Sequence, residues 1–177
     1  MIRINKTGTI QFLLLFILVQ LLFAGLAYSQ PPLPVRTLTV NSTQALHFGS
    51  FCLESIGSSG GTVTVGYDGN RTSTGEVMLL NTAPSSQAAI YDVNLCQGRT
   101  VVITYPAISI LNGSNGGFLT LNIGPTEKGP SGSTFQVNTD CSFITQLRVG
   151  GTLIVGSNAA NPAGTYIGNF SIIFNQQ

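Results

Sequence analysis

Gly57-Ser58-Ser59-Gly60-Gly61 has the form G-x-S-x-G, the turn on which many hydrolases present a nucleophilic serine. That chemistry needs a strand-to-helix turn and a histidine further along the chain, and the one histidine, His47, comes earlier. A flexible Gly/Ser loop accounts for the run more simply. His47 stands between Leu46 and Phe48 on an expected strand, where alternation turns its side chain to the polar face. Asp68, Asn70, Thr72 and Glu76 echo an oxygen-rich calcium loop, but Arg71 and Gly75 fall at positions that loop cannot use, and the EF-hand spacing is not met. Zinc needs clustered His, Cys or carboxylate ligands, and Cys52, Cys96 and Cys141 are far apart in sequence. Six scattered acidic residues offer no spacing that selects a glycosidase pair. The sequence therefore assigns no catalytic, cofactor-binding or metal-ligating residue, and an enzyme is the least favoured class of function.

The cysteines have another use. In an oxidising compartment a disulfide persists, and three cysteines make one bridge and one leftover thiol. Three pairings are open. The polar, turn-like settings Asn94-Leu95-Cys96-Gln97-Gly98 and Thr139-Asp140-Cys141-Ser142 favour Cys96 with Cys141, a closure worth about 4 kcal/mol in the chain-entropy treatment.

An oxidising compartment is where the N-terminus points. Arg3 and Lys6 precede an apolar run from Phe12 to Ala27, which ends in the small residues of Ala27-Tyr28-Ser29. This reads as a secretory signal over residues 1–29, cut between Ser29 and Gln30. A retained membrane anchor is less favoured: the run is short for a span, carries Gln20, and meets Gln30-Pro31-Pro32. No cysteine follows the cut to carry a lipid. The expected location is secreted, extracellular or at the cell surface, after periplasmic transit, with no membrane span in the mature chain.

Beyond the signal, five cations stand against six anions, and charged residues are only 7 % of the sequence, against about a quarter in an ordinary soluble domain. Thr, Ser, Asn and Gly supply the polar surface instead. Five dispersed cations make no basic stripe, which disfavours nucleic acid and anionic membranes as partners.

These residues must be positioned by strands. Period-2 alternation broken by Gly, Asn, Asp and Pro runs through the chain, with no stretch of helical spacing. Val63, Val65 and Tyr67 share a face and lead into the turn Tyr67-Asp68-Gly69-Asn70, with a return strand expected through Glu76 to Leu80 near the middle of a sheet. Val101, Ile103 and Tyr105 mark another strand, as do Leu119, Leu121 and Ile123. Leu147, Val149, Leu153 and Val155 alternate through Gly150-Gly151, where a bulge or close backbone approach is expected. Tyr166, Phe170, Ile172 and Phe174 predict one final strand. Eight to ten short strands imply an all-β, two-sheet antiparallel β-sandwich. Residues 37–177 form the single domain, preceded by an extended Pro-rich arm over 30–36 that leads into a strand expected from Val35 to Val40.

Several segments resemble a known family. Leu46-His47-Phe48-Gly49-Ser50-Phe51, Gly61-Thr62-Val63-Thr64-Val65 with Gly69-Asn70-Arg71 and Gly75, and Leu111-Asn112-Gly113-Ser114-Asn115-Gly116-Gly117 are three of them. Val149-Gly150-Gly151-Thr152-Leu153 and Gly164-Thr165-Tyr166-Ile167-Gly168-Asn169-Phe170 complete the set. Together they look like the bacterial domain-of-unknown-function family 4402. The resemblance implies a secreted immunoglobulin-like sandwich, distantly similar to fimbrial and spore-coat-type subunits, and carries over no catalytic residue.

Two functions are in contention. One is a structural or adhesive surface subunit whose extended arm completes the sheet of itself or of another subunit by strand addition. The other is a module binding glycans or another ligand, for which Tyr67, Tyr91 and Tyr105 would have to stack in the absence of Trp. No cofactor is implied. N-terminal sequencing of the exported protein is expected to begin at Gln30; a chain still beginning at Met1 would refute the cleavage.

Overall fold

The computed structural model describes residues 37–55 and 57–177. The signal over 1–29, its cleavage pair Ser29 and Gln30, and the arm over 30–36 lie outside the described residues. Among the described residues every element is a β-strand and every pairing is antiparallel. In chain order they are β1 (Thr39–Gln44), β2 (Ser50–Leu53), β3 (Gly61–Val65), β4 (Arg71–Gly75), β5 (Val77–Leu80), β6 (Ala89–Asn94) and β7 (Thr100–Thr104). The rest are β8 (Ile108–Gly113), β9 (Phe118–Thr126), β10 (Thr134–Gln136), β11 (Thr145–Val155), β12 (Tyr166–Ile167) and β13 (Ile173–Gln176).

The strands form one eight-stranded sheet in the order β1-β6-β11-β9-β8-β12, with β3 and β4 branching from β11, a three-stranded sheet β10-β7-β13, and the pair β2-β5. The branch comes from β11, which is long enough to serve two partners along one edge. Thr145 to Val149 pair with β6, and Gly151 to Val155 pair with β3. Between the two halves, the register against β9 slips from Val149↔Thr126 to Gly151↔Ile123. This is the bulge expected at Gly150-Gly151, and the close approach is present too. A Cβ on Gly150 would overlap Val65 O and come within 2.8 Å of Gly66 C and Tyr67 N. Only a residue without a side chain lets β3 end there.

Alternation decides what is buried. Val63, Val65, Val93, Val101, Ile103, Leu119, Leu147 and Val149 are almost wholly enclosed, and they come from both the eight-stranded sheet and β7. They belong to one hydrophobic cluster that also takes in Phe135 of β10. Burying apolar surface at roughly 25 cal/mol per Å² makes this the main favourable term.

Four expectations need correction. The first strand among the described residues runs from Thr39 to Gln44 and pairs in its own sheet with β6; Thr37 and Leu38 of the expected Val35–Val40 strand lie before it, and Val35 and Arg36 lie outside the described residues. The return from the Asp68-Gly69 turn is two strands. Gly75, at φ +69°, ends β4, and Glu76 N donates to Gly60 O. Val77–Leu80 then leaves to pair with β2, which puts it on a two-stranded unit with Met78 half exposed and not in the middle of a sheet. The final strand is likewise divided. Tyr166–Ile167 pairs with β8 in the large sheet while Ile173–Gln176 pairs with β7 in the three-stranded one, so the chain crosses between sheets over residues 168–172. Tyr166, Phe170, Ile172 and Phe174 still pack on the core, as their common face predicts.

Gly150→Ala is expected to destabilise the fold by about 1–3 kcal/mol, because its neighbours are backbone atoms that cannot yield. Gly151→Ala should cost less, since the nearest atom to its new Cβ, at 2.8 Å, is the tip of Leu121. Urea unfolding of both variants checks the order.

Candidate binding groove

Between β2 and the segment around β12 lies a groove of about 670 Å³. Its floor is Leu111, Leu119, Leu121, Leu153 and Val155, the inward-facing side chains of β8, β9 and β11. Four of the five are buried core residues, so the groove opens directly into the core. One wall is Leu46 to Leu53, and the other runs from Asn158 to Phe170.

Among the described residues, both walls carry a strand edge without a partner. Among the described strands β2 pairs only with β5, in the register Cys52↔Met78 and Leu53↔Val77. Glu54 N donates to Glu76 O at 3.0 Å, which fixes the alternation: Ser50 and Cys52 direct their backbone groups at β5, and Phe51 and Leu53 direct theirs into the groove. Among the described strands β12 pairs only with β8, and Ser114 N donates to Thr165 O at 2.9 Å. By the same alternation Tyr166 and Gly168 turn their backbone groups away from β8, into the groove. The site is a slot between two unpaired edges over an apolar floor.

Polar side chains hold the walls. Arg71, the first residue of β4, donates from Nη1 to Phe48 O at 3.0 Å and Ser50 O at 3.3 Å, and from Nη2 to Leu80 O at 2.8 Å. One planar fork thus binds β4 to both strands of the β2-β5 pair. A side chain on Gly49 would overlap this guanidinium. His47 exchanges backbone bonds with Gln87 and accepts from Gly49 N at its Nδ1, 2.9 Å away, so it orders the approach to β2. On the far wall Asn161 accepts from Gly156 N and donates to Phe118 O, and Tyr166 OH donates to Pro162 O at 2.7 Å. Burial raises the Tyr166 phenol above its ordinary pKa.

The residues singled out for chemistry are spread over the molecule. Ser58 is buried with its hydroxyl on Ser55, and no helix follows it among the described residues. Asp68 accepts from Asn70 in the β3–β4 turn, while Glu76, at the other end of β4, accepts from Ser59 N at 2.6 Å. The four residues of the suggested calcium loop are therefore strung along a hairpin strand. Among the described residues no group of three or more His, Cys, Asp or Glu could hold a metal ion. Tyr67 is exposed at the hairpin, Tyr91 packs on Phe174 with ring centres 6.0 Å apart, and Tyr105 is buried with its hydroxyl 3.4 Å from Gly129 O. Burial raises the phenol pKa of Tyr91 and Tyr105, and hydrogen bonding partly offsets the rise at Tyr105. The three tyrosines share no platform.

Cys96 and Cys141 are joined in a disulfide, Cα–Cα 4.9 Å, which ties the loop after β6 to the loop before β11. Cys52 is an exposed free thiol on β2, opposite Met78. No helix among the described residues is long and apolar enough to cross a membrane. Sequence reasoning missed the groove itself. One wall takes in Asn158 to Gly164, a run of Asn, Ala, Pro and Gly without alternation, and an open edge is a property of pairing that no local pattern displays.

The model of a family described as "Domain of unknown function (DUF4402)" matches residues 38–175. No curated protein and no solved structure matches.

Arg71→Met is expected to lower stability by about 1.5–3 kcal/mol, the usual range for hydrogen bonds to a charged group. The loss should be local first: amide hydrogen exchange should rise in β2 and β5 before it rises in β11. Uniform exchange across all three strands would show that the fork does not hold the wall.

Proposed function

The chain belongs to the DUF4402 family, and on that premise we propose that it is an exported, non-enzymatic structural or adhesive subunit of a cell surface. We further propose that its strands form a two-sheet, immunoglobulin-like sandwich, and that it joins its neighbours by accepting an extended strand in the groove. The observation that carries this reading is the pair of open edges, β2 and β12, facing one apolar slot. A strand laid there satisfies the backbone groups of Phe51, Leu53, Tyr166 and Gly168 while its alternate side chains cover Leu119, Leu121 and Leu153. Unpaired edges over an apolar floor are a template for another chain unless they are covered.

β1 pairs within its own sheet, so the donor segment in a self-assembling chain is what precedes Thr37. In Gln30 to Arg36, Leu33 and Val35 fall on one side of an extended strand and Pro32 and Pro34 on the other. From Pro32 onward the missing donors lie along one edge only; Pro31 removes one donor from the other edge, which is able to pair from Leu33 on.

A second reading, a ligand-binding module, is favoured by the groove's volume, which lies in the range of small-molecule sites. An apolar ligand with one polar end would suit it better than a sugar, because the floor offers no hydroxyl.

The test is assembly of the exported chain. Light scattering at rising concentration should show multimers that disappear on deletion of residues 30–36. Leu53→Pro should also abolish them, since it removes a donor facing the groove and none facing β5. Urea unfolding of that variant controls for lost packing. An exported chain that stays monomeric at every concentration overturns self-assembly.

A further inference from the structure

The strands that floor the groove carry a second array on their outer face. Strand register places Thr72 of β4, Thr64 of β3, Thr152 of β11, Asn122 of β9 and Ile108 of β8 directly opposite one another in a row. The next row is Thr74, Thr62, Ile154, Thr120 and Ile110 in the same strand order. Phe118, Asn112 and Ile167 extend the array at the β12 end. None of these side chains ionises. The isoleucines and Phe118 are between 45 and 69 % exposed, a concentration of apolar surface that core packing does not require. Four of the six threonine hydroxyls are paired: Thr62 Oγ1 and Thr74 Oγ1 are 2.7 Å apart, and Thr64 Oγ1 and Thr152 Oγ1 are 2.9 Å apart.

We propose that this face binds an extended, uncharged polysaccharide. Charge is the first argument. A surface with no ionisable group gains nothing from an anionic glycan, a nucleic acid or a charged lipid headgroup, and complementarity leaves a neutral partner. Chemistry is the second. A neutral pyranose presents C–H on its ring faces and hydroxyls around its rim, the same mixture that Thr methyls, Thr hydroxyls, Ile and Asn amides present here. Spacing is the third. Neighbouring strands are about 4.8 Å apart, close to the length of one sugar unit in an extended chain, so a row of five strands offers one contact per sugar over about 19 Å. Pre-set hydroxyls reduce the ordering cost of binding. A second copy of the chain is a poorer partner, because two such faces would enclose their hydroxyls and amides together without the ring of water that a glycan chain leaves at its sides.

The array and the groove are back to back on β9 and β11, so they can be tested apart. Purified exported chain is mixed with four insoluble neutral polysaccharides, cellulose, chitin, a mixed β-glucan and a mannan, and with anionic alginate gel. Depletion of protein from solution onto at least one neutral polymer and not onto alginate is expected. Thr64→Glu with Thr120→Glu should reduce the bound fraction at least tenfold with an unchanged urea midpoint. Leu53→Pro, at the groove, should leave it unchanged, which separates this proposal from strand addition. The single variant Thr64→Val guards against a folding failure in the double one and should weaken binding by a few fold. Binding to none of the neutral polymers, equal binding to alginate, retention by the folded double variant, or a dimer that the face substitutions dissociate would each overturn the proposal.

Discussion

The close contact of β11 with the end of β3 at Gly150 is the constraint from which the rest of the architecture follows. Were β11 to keep one partner along its whole edge, β6 and β3 could not both join the same sheet. Because it changes partner at two glycines, eight strands are gathered on one side of the core. The register slip against β9 at the same point bends the ladder, as bulges do, and the sheet curls around Leu147, Val149 and Leu153. Inner and outer faces of β9 and β11 are thereby fixed together: the parity that puts Leu119 and Leu121 in the core puts Thr120 and Asn122 outside.

A curled sheet that does not close leaves edges. At β12 the chain stops pairing after two residues, since Gly168 is packed on the backbone of Ile110 and the chain then crosses to the other sheet. At β2 the partner is β5 alone, and Arg71 keeps that pair in place from the side of β4. The groove is thus a product of two separate local decisions, a short strand and a stapled pair, acting on opposite walls.

Much of this fold was legible in the sequence and some of it was not, for identifiable reasons. Alternation marked the inward residues of β3, β7, β9 and β11 because period 2 is a local property. Gly150-Gly151 announced a special backbone for the same kind of reason. The division of Arg71–Leu80 into β4 and β5 was hidden because Val77-Met78-Leu79-Leu80 is apolar at every position, and a uniform run does not say which sheet it joins. The last strand was misjudged because Tyr166, Phe170, Ile172 and Phe174 keep one face to the core while their backbone changes partner, and side-chain patterns report faces, not partners. The groove was out of reach on the same ground. Of the residues offered for chemistry, Ser58, Asp68 and Glu76 turned out to bond loops and turns, as small polar residues near glycine commonly do.

The Arg71 fork ends on three peptide carbonyls and on no carboxylate. A peptide carbonyl belongs to the main chain, so the joint asks for no particular side chain at Phe48, Ser50 or Leu80. The attachment of β4 to β2 and β5 therefore rests on one side chain, and substitutions at those three positions leave its acceptors in place.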